Sequence, residues 1–188
     1  RSLDGQEPKY LNSPESEVFE KGKMLFAFEK ASSSIRKRDQ AIIVEGYFDV
    51  ISLHSKGITN CVASLGTALN KYQISQLCRC TDNKNIILNF DSDNAGILAT
   101  KKVISEVERL SLYQQINLKI LQLEDFKDPD EYLKKNTPQD YFNLIDKSSF
   151  LIDWEIDQIF INRDLTKSEI FQSVISSLVK LLSKLPQS

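Results

Sequence analysis

The sequence predicts an α/β protein with a mainly parallel four-stranded sheet flanked by helices, followed by an all-helical C-terminal segment. Four short apolar runs alternate with helix-forming stretches up to residue 136, an order typical of right-handed βαβ crossovers. From about residue 137 onward the pattern indicates only helices. The 188 residues suffice for one substantial domain or two small ones.

The first predicted element is a helix from Ser13 to about Ala31. Ser13 is a suitable N-cap and Pro14 would occupy the first helical position. The serine run at 32–34 is expected to end this helix. Residues 1–38 hold eight Lys or Arg against six Asp or Glu, so the basic excess of the chain lies in this N-terminal segment.

Four apolar runs are the predicted strands, at residues 41–44, 60–63, 86–90 and 118–123. Helices are expected from Tyr47 to Lys56, up to about Cys80, and from about Ala95 to Leu110. Later helices start at Thr137 and Ser149, and the sequence "TKSE" at 166–169 predicts a capping box before the last helix. We therefore divide the chain at residues 38 and 136, into 1–38, 39–136 and 137–188.

Composition excludes several classes of protein. A net charge of -2 argues against nonspecific coating of duplex DNA, which needs many cation contacts to phosphate. Three cysteines and one histidine without a CxxC pair disfavour a structural zinc site, so the thiols are expected to be reduced and structural. No apolar run is long enough to span a bilayer, and we expect a cytoplasmic location.

Acidic residues follow three of the predicted strands. Glu45 ends the first, Asp91 and Asp93 end the third, and Asp128 and Asp130 follow the fourth. Ligands of parallel sheets bind beyond the carboxyl ends of the strands, so these five carboxylates are expected to converge. Two unit charges about 4 Å apart repel by roughly 4 kcal/mol at an effective dielectric near 20, a cost that a divalent cation would remove. Oxygen ligands favour Mg²⁺ or Mn²⁺ over zinc.

Each acid also has a purely structural interpretation. Asp49, four residues after Glu45, joins the same flank if a helix begins near Gly46, but it could simply be solvated. Asp93 could cap the following helix, and Asp128 before a proline could start a turn. Together, a glutamate at one strand end and an Asp-x-Asp pair at another favour the metal interpretation.

Four motifs, "IIVEGYFDV", "VASLGTAL", "ILNFDSDNAG" and "DFKDPDEYL", resemble the catalytic core of bacterial-type DNA primases in order and spacing. Their shared module is the toprim fold, which topoisomerases and some nucleases also carry. The stretches "PKYLNSPES", "FEKGKMLFAFEKA" and "EGYFDVISLHSKGI" look like the primase version. The resemblance covers residues from about 8 to 135, and the later helices agree with a helical subdomain that closes the primase core.

The resemblance implies synthesis of short RNA primers from ribonucleoside triphosphates on single-stranded DNA, with Mg²⁺ or Mn²⁺. The implied reacting centre is Glu45, Asp91 and Asp93. Asp91 and Asp93 would hold metal, with Glu45, Asp49, Asp128 and Asp130 as further ligands. Glu45 could instead act as a general base, but a nearby metal would lower its pKa, so we favour the metal role. The implied contacts to template or nucleotide phosphates are Lys9, Tyr10, Asn12 and Lys21.

The resemblance also sets expectations beyond this stretch of sequence. Zinc is expected only in a ribbon domain that this chain lacks, and a replicative helicase would bind through another missing domain. We expect a monomer that binds metal but synthesises primers poorly. Between and after the paired aspartates stand Ser92 and Asn94, where many primases have a glycine and a basic residue.

Two other classes of function stay open at this point. A toprim nuclease or topoisomerase would use the same metals to cleave phosphodiesters, although Tyr47 is a poor candidate nucleophile because it opens a helix beside the acids. A noncatalytic nucleic-acid-binding module would have vestigial acids and no magnesium affinity.

Overall fold

The computed structural model describes residues 14–17, 19–64, 69–114, 116–123 and 125–183, with the backbone alone for 107–114. Within these residues one sheet has the order β1-β3-β2-β4-β5-β6. Its strands are β1 (Leu25–Phe26), β2 (Gln40–Val44), β3 (Cys61–Ser64), β4 (Asn85–Asn89), β5 (Asn117–Ile120) and β6 (Ser149–Phe150). The four central strands are parallel, as predicted, and the two short outer strands are antiparallel to their neighbours.

A short 3₁₀ turn at Lys21–Lys23 precedes eight helices in the described part of the chain. These are α1 (Phe28–Arg38), α2 (Tyr47–Ser55), α3 (Lys71–Cys78), α4 (Asn94–Gln114), α5 (Pro129–Lys135), α6 (Pro138–Asp146), α7 (Leu151–Phe160) and α8 (Ser168–Leu182).

The sheet separates two apolar layers. Alternate residues of β2 point to opposite faces, so Ile43 packs with α1, α3 and α4 residues while Ile42 packs with α2, α5 and α6 residues. Both isoleucines are fully buried, and each such side chain contributes about 1.5–3 kcal/mol relative to exposure. Coverage of both faces explains why β2 and β4 contain continuous buried apolar runs, at residues 41–44 and 86–88.

The predicted N-terminal helix is wrong over most of its length. Residues 25–26 form β1, which pairs antiparallel with the end of β3, and α1 begins only at Phe28. Ala27, in the left-handed conformation with a φ of 63°, separates the two elements. The serine run does not end α1, because Ala31 and Ile35 on either side of it are buried against the sheet, and this packing outweighs weak helix propensity. Ser13, its predicted cap, lies outside the described residues.

Two predictions for the C-terminal part are also wrong. It is not entirely helical, because Ser149 and Phe150 pair with β5 before α7 begins. The capping box does not form either: Lys167 occupies the N-cap of α8 without a side-chain bond, and the Thr166 hydroxyl donates instead to Asp164 at 2.6 Å.

The cysteines and the histidine have structural surroundings. Cys61, Cys78 and Cys80 are all buried free thiols, as expected. His54 forms a hydrogen bond between Nε2 and the Cys61 carbonyl at 3.0 Å, which links the end of α2 to β3. No described helix is both long and apolar enough to cross a membrane.

Candidate functional site

The acidic residues lie at the carboxyl edge of the central strands. β2 and β4 are adjacent and in register, with Val44 opposite Asn89 at their ends. Glu45 follows β2 directly and is exposed, while Asp91 lies two residues beyond β4. The predicted convergence of these two segments therefore results from parallel pairing.

Asp49 is the most enclosed carboxylate of this edge, with 7% of its surface exposed. Burial, followed by the charges of Asp128 and Asp91, raises its pKa to about 7. Backbone N–H groups of Gly46 (3.0 Å) and Asp130 donate to it, which partly offsets that effect. Asp49 therefore belongs to the cluster and is not the solvated residue of the alternative interpretation.

Asp91 is half-buried, and the charges of neighbouring side chains affect its pKa. Burial and the charge of Glu45 raise its pKa to about 6, and Asp128 and Asp93 act in the same direction. Lys127 opposes them through an ion pair between Nζ and Oδ2 at 3.7 Å. The net upward shift indicates that this one ion pair does not compensate the negative charge.

Asp93 and Asp128 each have a structural role within the cluster. The Gly96 N–H donates to Asp93 Oδ1 at 2.9 Å in the first turn of α4. Asp128 is the N-cap of α5 and accepts from the Glu131 N–H at 2.8 Å. The capping interpretation of Asp93 is correct, and Asp128 caps a helix where the sequence suggested the start of a turn; both charges also raise the pKa of Asp91. Capping and membership of the acidic edge are compatible.

The carboxylate of Asp130, another predicted metal ligand, is engaged by a nearby lysine. Its Oδ2 accepts from Lys134 Nζ at 2.6 Å, and that hydrogen bond lowers the pKa of Asp130, with help from Ser52. Its carboxylate is thus already paired, and its backbone N–H serves Asp49.

We use the term acidic edge for Glu45, Asp49, Asp91, Asp93 and Asp128. Its donors are all carboxylate oxygens, and burial together with the charges of neighbouring acids raises the pKa values of Asp49 and Asp91. These properties fit a hard divalent cation. Within the described residues, no three acidic, histidine or cysteine side chains are already gathered as a ligand set.

Gly96 permits the close approach of α4 to the loop that carries Asp91. A Cβ atom at this position would overlap the carbonyl oxygen of Asp91. Any larger residue would push the loop and the helix apart. No role was predicted for this glycine; its position just after the Asp-x-Asp pair was the signal in the sequence.

A buried polar pair lies at the end of β4 and was also missed. Asn89 is fully buried, accepts from the Tyr141 hydroxyl at 2.7 Å and donates to the Leu121 carbonyl at 3.1 Å. The pair links β4 to α6 and to the segment after β5. The polar Asn89 inside an apolar run was the only signal in the sequence.

Ser92, between the paired aspartates, ties two loops together. Its hydroxyl donates to the Leu123 carbonyl at 2.9 Å, and its N–H donates to the Lys127 carbonyl at 3.0 Å. This residue therefore fixes the Asp91 loop against the segment that supplies Lys127 and Asp128. A glycine would supply only the backbone half of this link.

The predicted phosphate contacts are only partly described. Lys9, Tyr10 and Asn12 lie outside the described residues. Lys21 lies in the 3₁₀ turn just before β1, whose first residue pairs with Ser64 at the carboxyl end of β3. Because β3 adjoins β2, the turn at Lys21–Lys23 lies at the same carboxyl edge of the sheet as Glu45.

Two family models match the chain. One, described as Toprim-like, matches residues 42–133. The other, the N-terminal domain of the DNA primase catalytic core, matches residues 1–32. The strand order, the acidic edge and the first match define a toprim-fold protein.

Curated relatives extend this assignment. A DNA primase from Synechococcus elongatus is 50% identical over the whole chain, which covers 27% of that protein. A DNA primase from Synechocystis is 43% identical over 98% of the chain and 29% of its own length. The chain belongs to the bacterial DNA primase family and spans about a quarter of the length of these relatives.

Solved structures agree in fold. A DNA primase domain from Pseudomonas aeruginosa is 33% identical, with a TM-score of 0.84 over 99% of this chain and 57% of its own. A DnaG primase catalytic domain bound to single-stranded DNA is 29% identical, with a TM-score of 0.82 over 100% of this chain and 60% of its own. The predicted toprim fold and primase relationship are confirmed.

Proposed function

We propose that this chain supplies the metal-binding centre of a DNA primase, which makes short RNA primers on single-stranded DNA by nucleotidyl transfer. The observation that carries the proposal is the mutual influence of these carboxylates: burial and the charges of Asp128 and Asp91 raise the pKa of Asp49, and burial and the charge of Glu45 raise the pKa of Asp91. Such shifts, caused by burial and like charges, are typical of functional carboxylates.

In this proposal Asp91 and Asp93 hold Mg²⁺ or Mn²⁺, and Glu45 and Asp128 complete the ligand set directly or through water. Bound metal would stabilise the negative charge that develops on an attacking hydroxyl and a leaving pyrophosphate. Asp49, which is buried next to Asp91 and Asp128, would add negative charge to this set when it is ionised. Asp130 contributes through its N–H to Asp49, since Lys134 engages its carboxylate.

Glu45 is proposed to face the substrate, which is supported by its exposure at the end of β2 and by the effect of its charge on Asp91. Lys21, on the same side of the sheet, would contact phosphates of template or nucleotide and position the strand without reading sequence. Lys9, Tyr10 and Asn12 are proposed to share this role. The DnaG domain bound to single-stranded DNA supports a template partner.

Ribonucleoside triphosphates are the proposed substrates, and a replicative helicase is the proposed partner of another domain. The alternative of a toprim nuclease or topoisomerase is not favoured, because the relatives are DNA primases. Tyr47 also packs its ring against Phe26, with centroids 4.8 Å apart, which suits a structural role better than that of a nucleophile.

The first test is calorimetric titration of the 188-residue chain with Mg²⁺ and Mn²⁺. Wild type should bind, and Asp91→Ala/Asp93→Ala should not. Asp146→Ala/Asp153→Ala, which removes two exposed aspartates of α6 and α7, is the charge-matched control and should bind like wild type. Unchanged binding by the first variant would exclude the paired aspartates as the metal site.

The second test is primer synthesis by a longer primase that contains this sequence. We expect Asp91→Ala/Asp93→Ala to lose at least about a thousandfold in activity, since metal-borne charge stabilisation is worth several kcal/mol. The control variant should retain activity. A polypeptide that binds metal normally but cleaves DNA and makes no primers would favour the nuclease alternative.

A further inference from the structure

An open cavity of about 380 Å³ lies between α4, α7 and α8. Its size is within the range of roughly 300–1,000 Å³ typical of small-molecule sites. No residue of the acidic edge lines it. The cavity is therefore separate from the proposed metal centre.

Cationic side chains predominate among the charged residues that line this cavity. Three lining residues are cationic, namely Lys101 from α4, Arg163 from the turn before α8 and Lys180 from α8, against one carboxylate, Glu155. Among the described residues none of these cations forms a salt bridge; Arg163 donates to the Ser173 hydroxyl at 3.2 Å. In a chain of net charge -2, three cations against one carboxylate give the lining of this cavity a local excess of positive charge.

The remaining wall is apolar and contains an unsatisfied donor. Ile104, Trp154 and Leu181 line the cavity, and Trp154 is 3% exposed. The Trp154 Nε1–H is buried without a hydrogen-bond acceptor among the described residues. Buried donors are normally satisfied, so an orphan beside a cationic cavity points to a missing acceptor.

We propose that this cavity binds a small organic phosphate. The phosphate oxygens would accept charge-assisted hydrogen bonds from Lys101, Arg163 and Lys180. The organic part would lie against Trp154 and Ile104, and it accounts for a volume larger than a bare phosphate needs. A small movement of the indole would let its N–H share a ligand oxygen. This site is independent of the proposed function.

Trp154 is the sole tryptophan of the chain, so its fluorescence reports on the cavity alone. We would titrate the 188-residue chain with adenosine 5′-monophosphate, without divalent cations. The proposal expects a saturable fluorescence change that weakens with added salt. Adenosine, which lacks the phosphate, should cause no saturable change, and inorganic phosphate should bind more weakly because it lacks the apolar part.

Four variants sharpen the test. Lys101→Gln and Lys180→Gln should each weaken binding roughly tenfold, the loss expected for one charge-assisted contact. Lys147→Gln, at an exposed lysine outside the cavity, is the matched control, and Asp91→Ala/Asp93→Ala separates this site from the acidic edge. Both should bind like wild type.

Three results would overturn the proposal. These are an equal response to adenosine, unchanged affinity in both cavity lysine variants, and a response to a single-stranded oligonucleotide but not to the mononucleotide. The last would indicate a nucleic-acid contact in place of a small-molecule site.

Discussion

The two ends of β2 and β4 carry aspartates with opposite properties. Asp39 directly precedes β2, at the amino edge of the sheet, and burial by itself would raise its pKa. Hydrogen bonds from Asn83 Nδ2 at 2.6 Å, from the Asn83 N–H and from the Asp82 N–H lower the pKa overall. At the carboxyl edge, burial and neighbouring acids raise the pKa of Asp49 to about 7 and of Asp91 to about 6.

This difference separates a structural carboxylate from the two that we propose to be functional. Asp39 is supplied with donors by the protein, and its charge is stabilised by the fold. Asp49 and Asp91 are held together against their repulsion, with Lys127 as the nearby cation. The fold thus maintains an excess of negative charge at one edge, and a bound divalent cation would provide the missing compensation.

The largest loss of stability is expected for Gly96→Ala. The added methyl overlaps the Asp91 carbonyl oxygen, so the loop must shift, and we expect a loss of about 3 kcal/mol in the free energy of unfolding. Metal binding should weaken as well. Urea denaturation and calorimetry measure both. Gly22→Ala, where the nearest atom would be 3.4 Å from the new Cβ, is the control, and equal losses in the two variants would refute the special role of Gly96.

The second-largest change in stability is expected at Asp49, and it depends on pH. Because the folded-state pKa of Asp49 is about 7 against 3.8 ordinarily, the folded state holds more protons in this interval, and metal-free stability should fall as pH rises from about 4 to 7. The shift corresponds to roughly 4 kcal/mol, and screening should leave about half of it. Asp49→Asn should therefore stabilise the metal-free chain by about 2 kcal/mol at pH 8.

The same substitution at the amino edge should have the opposite sign. Asp39→Asn removes a charge that Asn83 and Asp82 stabilise, so it should destabilise the chain at pH 8. Urea denaturation of both variants at pH 4 and pH 8 gives the comparison. Destabilisation by Asp49→Asn at pH 8 would show that the acidic edge is compensated without metal.

Tyr141→Phe should have a smaller effect. It leaves the fully buried Asn89 oxygen without the Tyr141 hydroxyl, which should cost about 1.5 kcal/mol. Tyr72→Phe, at a tyrosine that is 56% exposed, should change the unfolding free energy by a few tenths of a kcal/mol or less. Equal, small changes would mean that Asn89 finds another donor.

The smallest change in stability is expected for Lys127→Gln. This exposed ion pair to Asp91, at 3.7 Å, should be worth less than about 0.5 kcal/mol. Its removal should nevertheless raise the pKa of Asp91 further, which NMR titration of the carboxyl carbon can measure. Lys134→Gln, which breaks the separate pair with Asp130, should leave the pKa of Asp91 unchanged.

The central strands were predictable because local patterns and global topology agree. The runs around Ile43 and Leu88 are buried on both faces, and alternation with helices implied parallel pairing and hence a shared carboxyl edge. The primase motifs added the residue roles that are proposed here. Glu45, Asp91 and Asp93 could therefore be singled out before any coordinates.

The outer strands were not predictable in the same way. Leu25–Phe26 and Ser149–Phe150 are two-residue segments whose strand conformation exists only because β3 and β5 offer unpaired backbone groups. No local pattern of two residues distinguishes this from a loop. The helix predicted from Ser149 does form, but it begins two residues later, at Leu151, because Ser149 and Phe150 pair with β5.

By itself, the sequence determined which carboxylates follow the strands and the order in which the strands are connected, because apolar runs and turn residues are local signals. Only the tertiary structure decided how those carboxylates differ: Asp49 is buried with a raised pKa, Asp130 is paired with Lys134, and Asp39 is fully supplied with donors. Burial and the distance between charges depend on segments far apart in the chain, and these two quantities set each pKa.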